Sequence, residues 1–114
     1  MLQAKHIVIA TGSKPRLLPT PGAEHMITSD EILSDRVLPS SAIFIGGGVI
    51  SFELGHVYAR AGVRVMIIEA LPRLLPAMGA DAVAHLQTES ECIGIGFKTA
   101  VAVKRIERAD GGCG

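Results

Sequence analysis

An α/β fold built on a parallel, Rossmann-like sheet is predicted by three observations. Short apolar runs alternate with stretches of helical spacing in the order strand, helix, strand, helix, strand. A cluster of three glycines marks the first strand-to-helix junction, and an acidic residue stands at the end of the strand that follows. Parallel neighbours need crossover connections, which the helices between the runs would supply. The chain has 114 residues, 48% of them hydrophobic and 19% charged, with a mean hydropathy of +0.40. That length suits one core, and that composition suits a sheet buried on both faces rather than a disordered chain.

Taken in order, residues 6–10 (HIVIA) form a short β-branched run closed by Thr11-Gly12-Ser13, the pattern of a buried strand ending in a turn. Residues 14–41 carry Pro15, Pro19, Pro21 and Gly22 and read as an extended connector. Within it Thr28, Ser29 or Asp30 can cap a short helix reaching Leu33. Residues 42–45 are a second strand, entering Gly46-Gly47-Gly48. From 49 to 61 the spacing is helical, with Ile50, Leu54, Val57, Tyr58 and Ala61 on one stripe. A second stripe, Gly48, Ser51, Gly55, Ala59 and Gly62, holds only small residues and would let the helix lie close to the strands. Residues 63–68 form a further strand with Glu69 at its end, Asp81 can cap a helix to about Cys92, and residues 97–106 alternate as a last strand. Asp110-Gly111-Gly112 is a hairpin turn signal with no returning strand, so the domain reads as incomplete.

Charge and motif content exclude several functions. Eleven basic and eleven acidic side chains cancel, which argues against nucleic acid or an anionic membrane as partner. The longest uncharged stretch, 37–52, is broken by Pro39, serines and glycines and is unsuited to spanning a bilayer. With two cysteines and no secretory signal, a cytoplasmic setting is expected. The four histidines are scattered without ligand spacing, so no metal site is expected, and no nucleophile motif points to a catalytic residue.

The chemical signal lies in Gly46-Gly47-Gly48-Val49-Ile50-Ser51, a GxGxxG variant between strand and helix. Glycine at the first position permits the tight turn, glycine at the second lets backbone approach a pyrophosphate, and a small third residue allows close helix packing. Ser51 is a small departure. The helix start offers free amides and the positive end of its dipole to phosphates. Glu69 stands near where an acid receives the adenosine ribose hydroxyls. A carboxylate there favours NAD and repels the 2′-phosphate of NADP, although Arg73, four positions on, is either a solvated loop charge or a phosphate ligand. The competing reading of the glycine cluster is a purely structural turn.

Together with Val8-Ile9-Ala10-Thr11-Gly12-Ser13, Phe52-Glu53-Leu54-Gly55, Ile68-Glu69 and Pro72-Arg73-Leu74-Leu75-Pro76, these motifs resemble, in residues and order, the middle of the pyridine nucleotide-disulfide oxidoreductases. The likeness is to members of the dihydrolipoamide dehydrogenase and glutathione reductase kind, and it runs to about Asp110. It implies an NAD(P) domain inserted in an FAD domain, with hydride passing from NAD(P)H through flavin to a cysteine pair. On that resemblance residues 1–41 are the FAD-domain exit strand and connector, and 42–114 the first part of the NAD(P)-binding domain. Thr11 and Gly12 would approach FAD, and Glu53 would help orient the nicotinamide.

The family's first FAD motif and its CxxxxC pair do not occur in this chain, so it is expected to be inactive alone and not to retain FAD. Cys92 is expected to be a buried helix residue, and Cys113 lies in a glycine-rich tail. Unpaired edges at 6–10 and 97–106 lead to the expectation of a homodimer. The alternative is a stand-alone or truncated nucleotide-binding or interaction module without catalysis.

Overall fold

A computed structural model describes residues 3–108 of the chain. A single turn of 3-10 helix, Ala23–His25, is followed by α1 (Ser29–Ser34), β1 (Ser41–Ile45), α2 (Val49–Arg60), β2 (Arg64–Ile68), α3 (Ala80–Cys92) and β3 (Ile95–Lys98). The three strands form one parallel sheet in the order β1-β2-β3, with Phe44 opposite Ile67 and Ile67 opposite Phe97. This is the α/β, Rossmann-like architecture that the alternation of runs predicts. No helix among the described residues is long and apolar enough to cross a membrane.

Alternation along the strands sends Phe44, Val65, Ile67 and Ile95 to one face, where they are buried with Tyr58 and Val63. Helix α2 lies on that face across all three strands, and α3 packs against β3. The small-residue stripe faces the sheet closely: a Cβ on Gly55 would already be in contact with Ile67 Cδ1 at 3.5 Å and Val65 Cγ1 at 3.6 Å, leaving room for little more than a methyl group. Of the larger stripe, Tyr58 is buried and meets Phe44 edge-on at 5.8 Å, whereas Ile50 and Val57 face outward. Phe52, Leu74, Leu75 and Val83 form a second cluster, joined to the first through Phe97, which stacks on Phe52 at 5.4 Å.

One polar bond ties the two crossover helices together. His56 Nε2 lies 2.8 Å from Ser90 Oγ, and that fully buried hydroxyl donates its proton to the Leu86 carbonyl at 2.6 Å. A hydroxyl has one proton, so the imidazole must donate, which fixes the neutral ring as its Nε2–H tautomer. Helix α1 is N-capped by Thr28, whose N–H donates to the Glu31 carboxylate at 2.6 Å, one half of a capping box.

Several expected elements differ. Residues 6–10 form no strand, and Ile7, Val8 and Ile9 are 81, 87 and 85% exposed. A β-branched run becomes a strand only where a neighbour completes its ladder, and no strand of this sheet pairs with it. The last strand spans Ile95–Lys98 rather than 97–106: Ala100 turns the backbone left-handed at φ 55°, and further on the Ile106 N–H donates to Pro21 at 2.9 Å. The N-cap of α3 is Gly79, and Asp81 sits inside the first turn, where its charge complements the helix dipole. Cys92 is exposed, being the last residue of α3 and off the face that packs. The turn at 110–112 and Cys113 lie outside the described residues.

Candidate functional site

At the C-terminal rim of the sheet, β1 runs into the glycine turn and β2 into Glu69. The Gly46 N–H donates to the Ile68 carbonyl at 2.8 Å, which extends the β1–β2 ladder by one bond, and Gly46 then takes φ 107°, open to glycine alone. The Gly47 N–H donates to Glu69 Oε2 at 2.6 Å. The other carboxylate oxygen accepts the Leu71 N–H at 2.8 Å. Gly48 caps α2 with no side-chain bond to the helix amides, and a Cβ on it would meet nothing within 4 Å. Open space thus lies before an uncapped helix start, with a carboxylate held beside it.

Glu69 is also braced through its backbone. Its N–H donates to Lys98 at 2.8 Å, its carbonyl accepts from Val101 at 3.0 Å, and the Ala100 N–H donates to Leu71 at 2.9 Å. The Leu71 N–H does most to hold the Glu69 carboxyl below its ordinary value; partial burial opposes this, and the Gly47 and Ala70 amides add to the lowering. A carboxyl depressed on folding contributes stability that is whole above its ordinary value of 4.5 and fades as pH falls through the folded value. Thermal unfolding followed from about pH 6 to about pH 3 should therefore show a steeper acid loss in the parent chain than in Glu69→Gln. Superimposable profiles would mean that these bonds do not persist in solution.

The glycine turn, the first turn of α2 (Val49, Ile50, Ser51) and Glu69 are brought together as expected. Ser51 is buried beneath the helix, while Val49 and Ile50 are exposed. Glu53 lies exposed one turn further on, at the edge of a cleft of about 320 Å³ between Val49, Phe52, His56, Leu75 and Met78. Thr11 and Gly12 are not part of this assembly: both are exposed in the N-terminal segment, and no hydrogen bond among the described residues joins them to the glycine turn. Arg73 donates one N–H to the Met78 carbonyl of its own loop. Among the described residues no three His, Cys, Asp or Glu side chains gather as metal ligands.

Sequence reasoning missed the part played by the loop after β2. Leu75 donates its N–H to the Gly47 carbonyl at 3.0 Å and adopts φ 44°, although it is not glycine. Leu74, 2% exposed, fills the space in which Gly47 lacks a side chain. The signal available was the pair of prolines, Pro72 and Pro76, that brackets these leucines.

Comparison with known proteins gives this geometry its context. Residues 1–113 match the family described as pyridine nucleotide-disulphide oxidoreductase. The chain belongs to that family. It is 44% identical over 97 residues to the dihydrolipoyl dehydrogenase of Chlorobaculum tepidum, covering 83% of this chain and 21% of that protein. It is 41% identical over 106 residues to the dihydrolipoyl dehydrogenase of Mycobacterium tuberculosis (strain ATCC 25618 / H37Rv), covering 92% and 22%. Among solved structures, the Cu(II) complex of the HOCl-induced flavoprotein disulfide reductase RclA from Escherichia coli is similar, with a TM-score of 0.82 and 27% identity over 88% of this chain and 24% of that one. The chain thus spans about a fifth of the length of the curated relatives it matches.

Proposed function

We propose that this family member supplies the NAD(H)-binding portion of a flavin-dependent oxidoreductase that passes hydride to a disulfide or similar acceptor. The observation that carries the reading is the Glu69–Gly47 bond, because it sets an ionised carboxylate beside an uncapped helix start with open space in front. In this reading the amides of Gly48, Val49, Ile50 and Ser51 receive the pyrophosphate, and Glu69 accepts the adenosine ribose hydroxyls. Both Glu69 oxygens already accept one amide each and keep lone pairs for two hydroxyls. Glu53, which lines the cleft beside the first turns of α2, would help orient the nicotinamide, as the family resemblance implies. The bound nicotinamide would supply the hydride. On the family resemblance Thr11 and Gly12, both exposed in the N-terminal segment, would approach the flavin of the FAD domain. In the same reading residues 1–41 are the FAD-domain exit strand and interdomain connector, and 42–114 the first part of the NAD(P)-binding domain.

Calorimetric titration tests this. NADH should bind about tenfold or more tightly than NADPH, because a 2′-phosphate would face the Glu69 charge and leave its acceptors unmatched. In Glu69→Ala the preference should collapse. Equal affinities in the parent chain would contradict the assignment of Glu69.

We further propose that the chain associates as a homodimer. Support comes from β1, an edge strand of this sheet carrying Ile43 at 64% exposure, and from the exposed run Ile7, Val8, Ile9. Sedimentation across a concentration series should show a dimer forming, and an 11.9 kDa monomer persisting at high concentration would refute it.

A further inference from the structure

Leu75 carries a conformational cost that its surroundings must offset. Its φ of 44° is left-handed, a region costly for a branched side chain, and it precedes Pro76, which favours extended backbone. Three contacts hold it there. Its side chain is 4% exposed in the cluster with Phe52, Leu74 and Val83; its carbonyl accepts the Met78 N–H at 2.9 Å; and its N–H donates to the Gly47 carbonyl at 3.0 Å. Strained residues persist where the surrounding structure over-determines them, often as part of a functional arrangement.

The consequence falls on the peptide between Gly47 and Gly48. Every described peptide bond is trans, so the Gly48 N–H points opposite to the Gly47 carbonyl. Leu75 holds that carbonyl toward the loop, which aims the Gly48 N–H away from the loop. The amides of Gly46 and Gly47 are already taken by Ile68 and Glu69, so the Gly48 N–H is the first in the turn available to a ligand. We propose that Leu75 is a positioning residue that, through the Gly47 carbonyl, aims the Gly48 N–H at the diphosphate of a bound nucleotide. This rests on the dinucleotide reading of the site and adds to it a residue outside the glycine motif.

The test uses the full chain, with ADP and adenosine as probes. In the unmodified chain, the Gly48 amide resonance should move on addition of ADP and stay still with adenosine. An amide-to-ester substitution at Leu75 deletes the N–H and keeps the side chain. It should weaken ADP about tenfold and leave adenosine within about twofold. Leu75→Met, which keeps both the N–H and an apolar side chain, should bind ADP like the parent. If the parent binds ADP without moving the Gly48 resonance, the proposal is wrong and the dinucleotide reading stands. Equal losses of ADP and adenosine in the ester would reduce Leu75 to a structural part and overturn the proposal in the same way. If the parent binds no ADP, the dinucleotide reading itself falls and takes the proposal with it.

Discussion

Replacing Ile67 by alanine is expected to lower the free energy of unfolding by about 3 kcal/mol, the middle of the range for a large aliphatic residue truncated in a core. Ile67 is 0% exposed at the centre of the middle strand, opposite Phe44 on one side and Phe97 on the other, with Gly55 of α2 above it. The cavity would border all three strands and the helix seated on them, so little can collapse into it. Denaturant unfolding measures the loss directly. A cost below about 1 kcal/mol would mean that the site repacks and that α2 is not fixed on the sheet.

Gly47→Ala should affect both stability and binding. A Cβ there would stand 2.5 Å from Leu74 Cδ2, 3.1 Å from Glu69 Cβ and 3.2 Å from Glu69 Oε2. Leu74 is 2% exposed and packed in the cluster with Phe52, Leu75 and Val83, so either it or the carboxylate must move. The overpacking should cost about 1–3 kcal/mol, and displacing Glu69 should weaken NADH by about tenfold or more. Gly48→Ala makes the contrast. Its φ of −88° suits alanine and a Cβ there meets nothing, so stability should hold or rise by a few tenths of a kcal/mol while NADH affinity falls, the methyl group filling the space where the ligand would lie. Thermal unfolding and calorimetry on both variants separate the two effects; equal behaviour would refute the geometry of the turn.

How far the site was legible follows from what each residue needs. The runs at 42–45 and 63–68 became β1 and β2 because each found a partner and a helix to cover it. The run at 6–10 has the same composition and no partner, and composition alone cannot report that. The spacing of the glycine cluster and Glu69 anticipated their meeting, since consecutive parallel strands end at the same rim of a sheet. It did not anticipate that Gly47, an unspecified position of the motif, would have the least room of the three glycines in the cluster. Nor could it show the bond from Leu75 to Gly47, because a link between two backbone groups leaves no side-chain signature. The end of β3 was misplaced for a related reason: residues beyond Lys98 keep strand-like alternation, while Ala100, with nothing unusual in its side chain, turns the chain away.

The seating of α2 on Gly55 makes the helix a lever. Its fulcrum is the contact of Gly55 with Val65 and Ile67, and one arm ends about 9 Å away at Val49, at the 1.5 Å rise of each helical residue. A methyl group at the fulcrum would rest in ordinary contact, but a side chain larger than alanine's must tilt the arm, and the arm carries the amides that face the open space before the helix. A side chain that never touches a ligand would then set the direction of those amides, so grip on a phosphate could be retuned from beneath the helix with the glycine turn left unchanged.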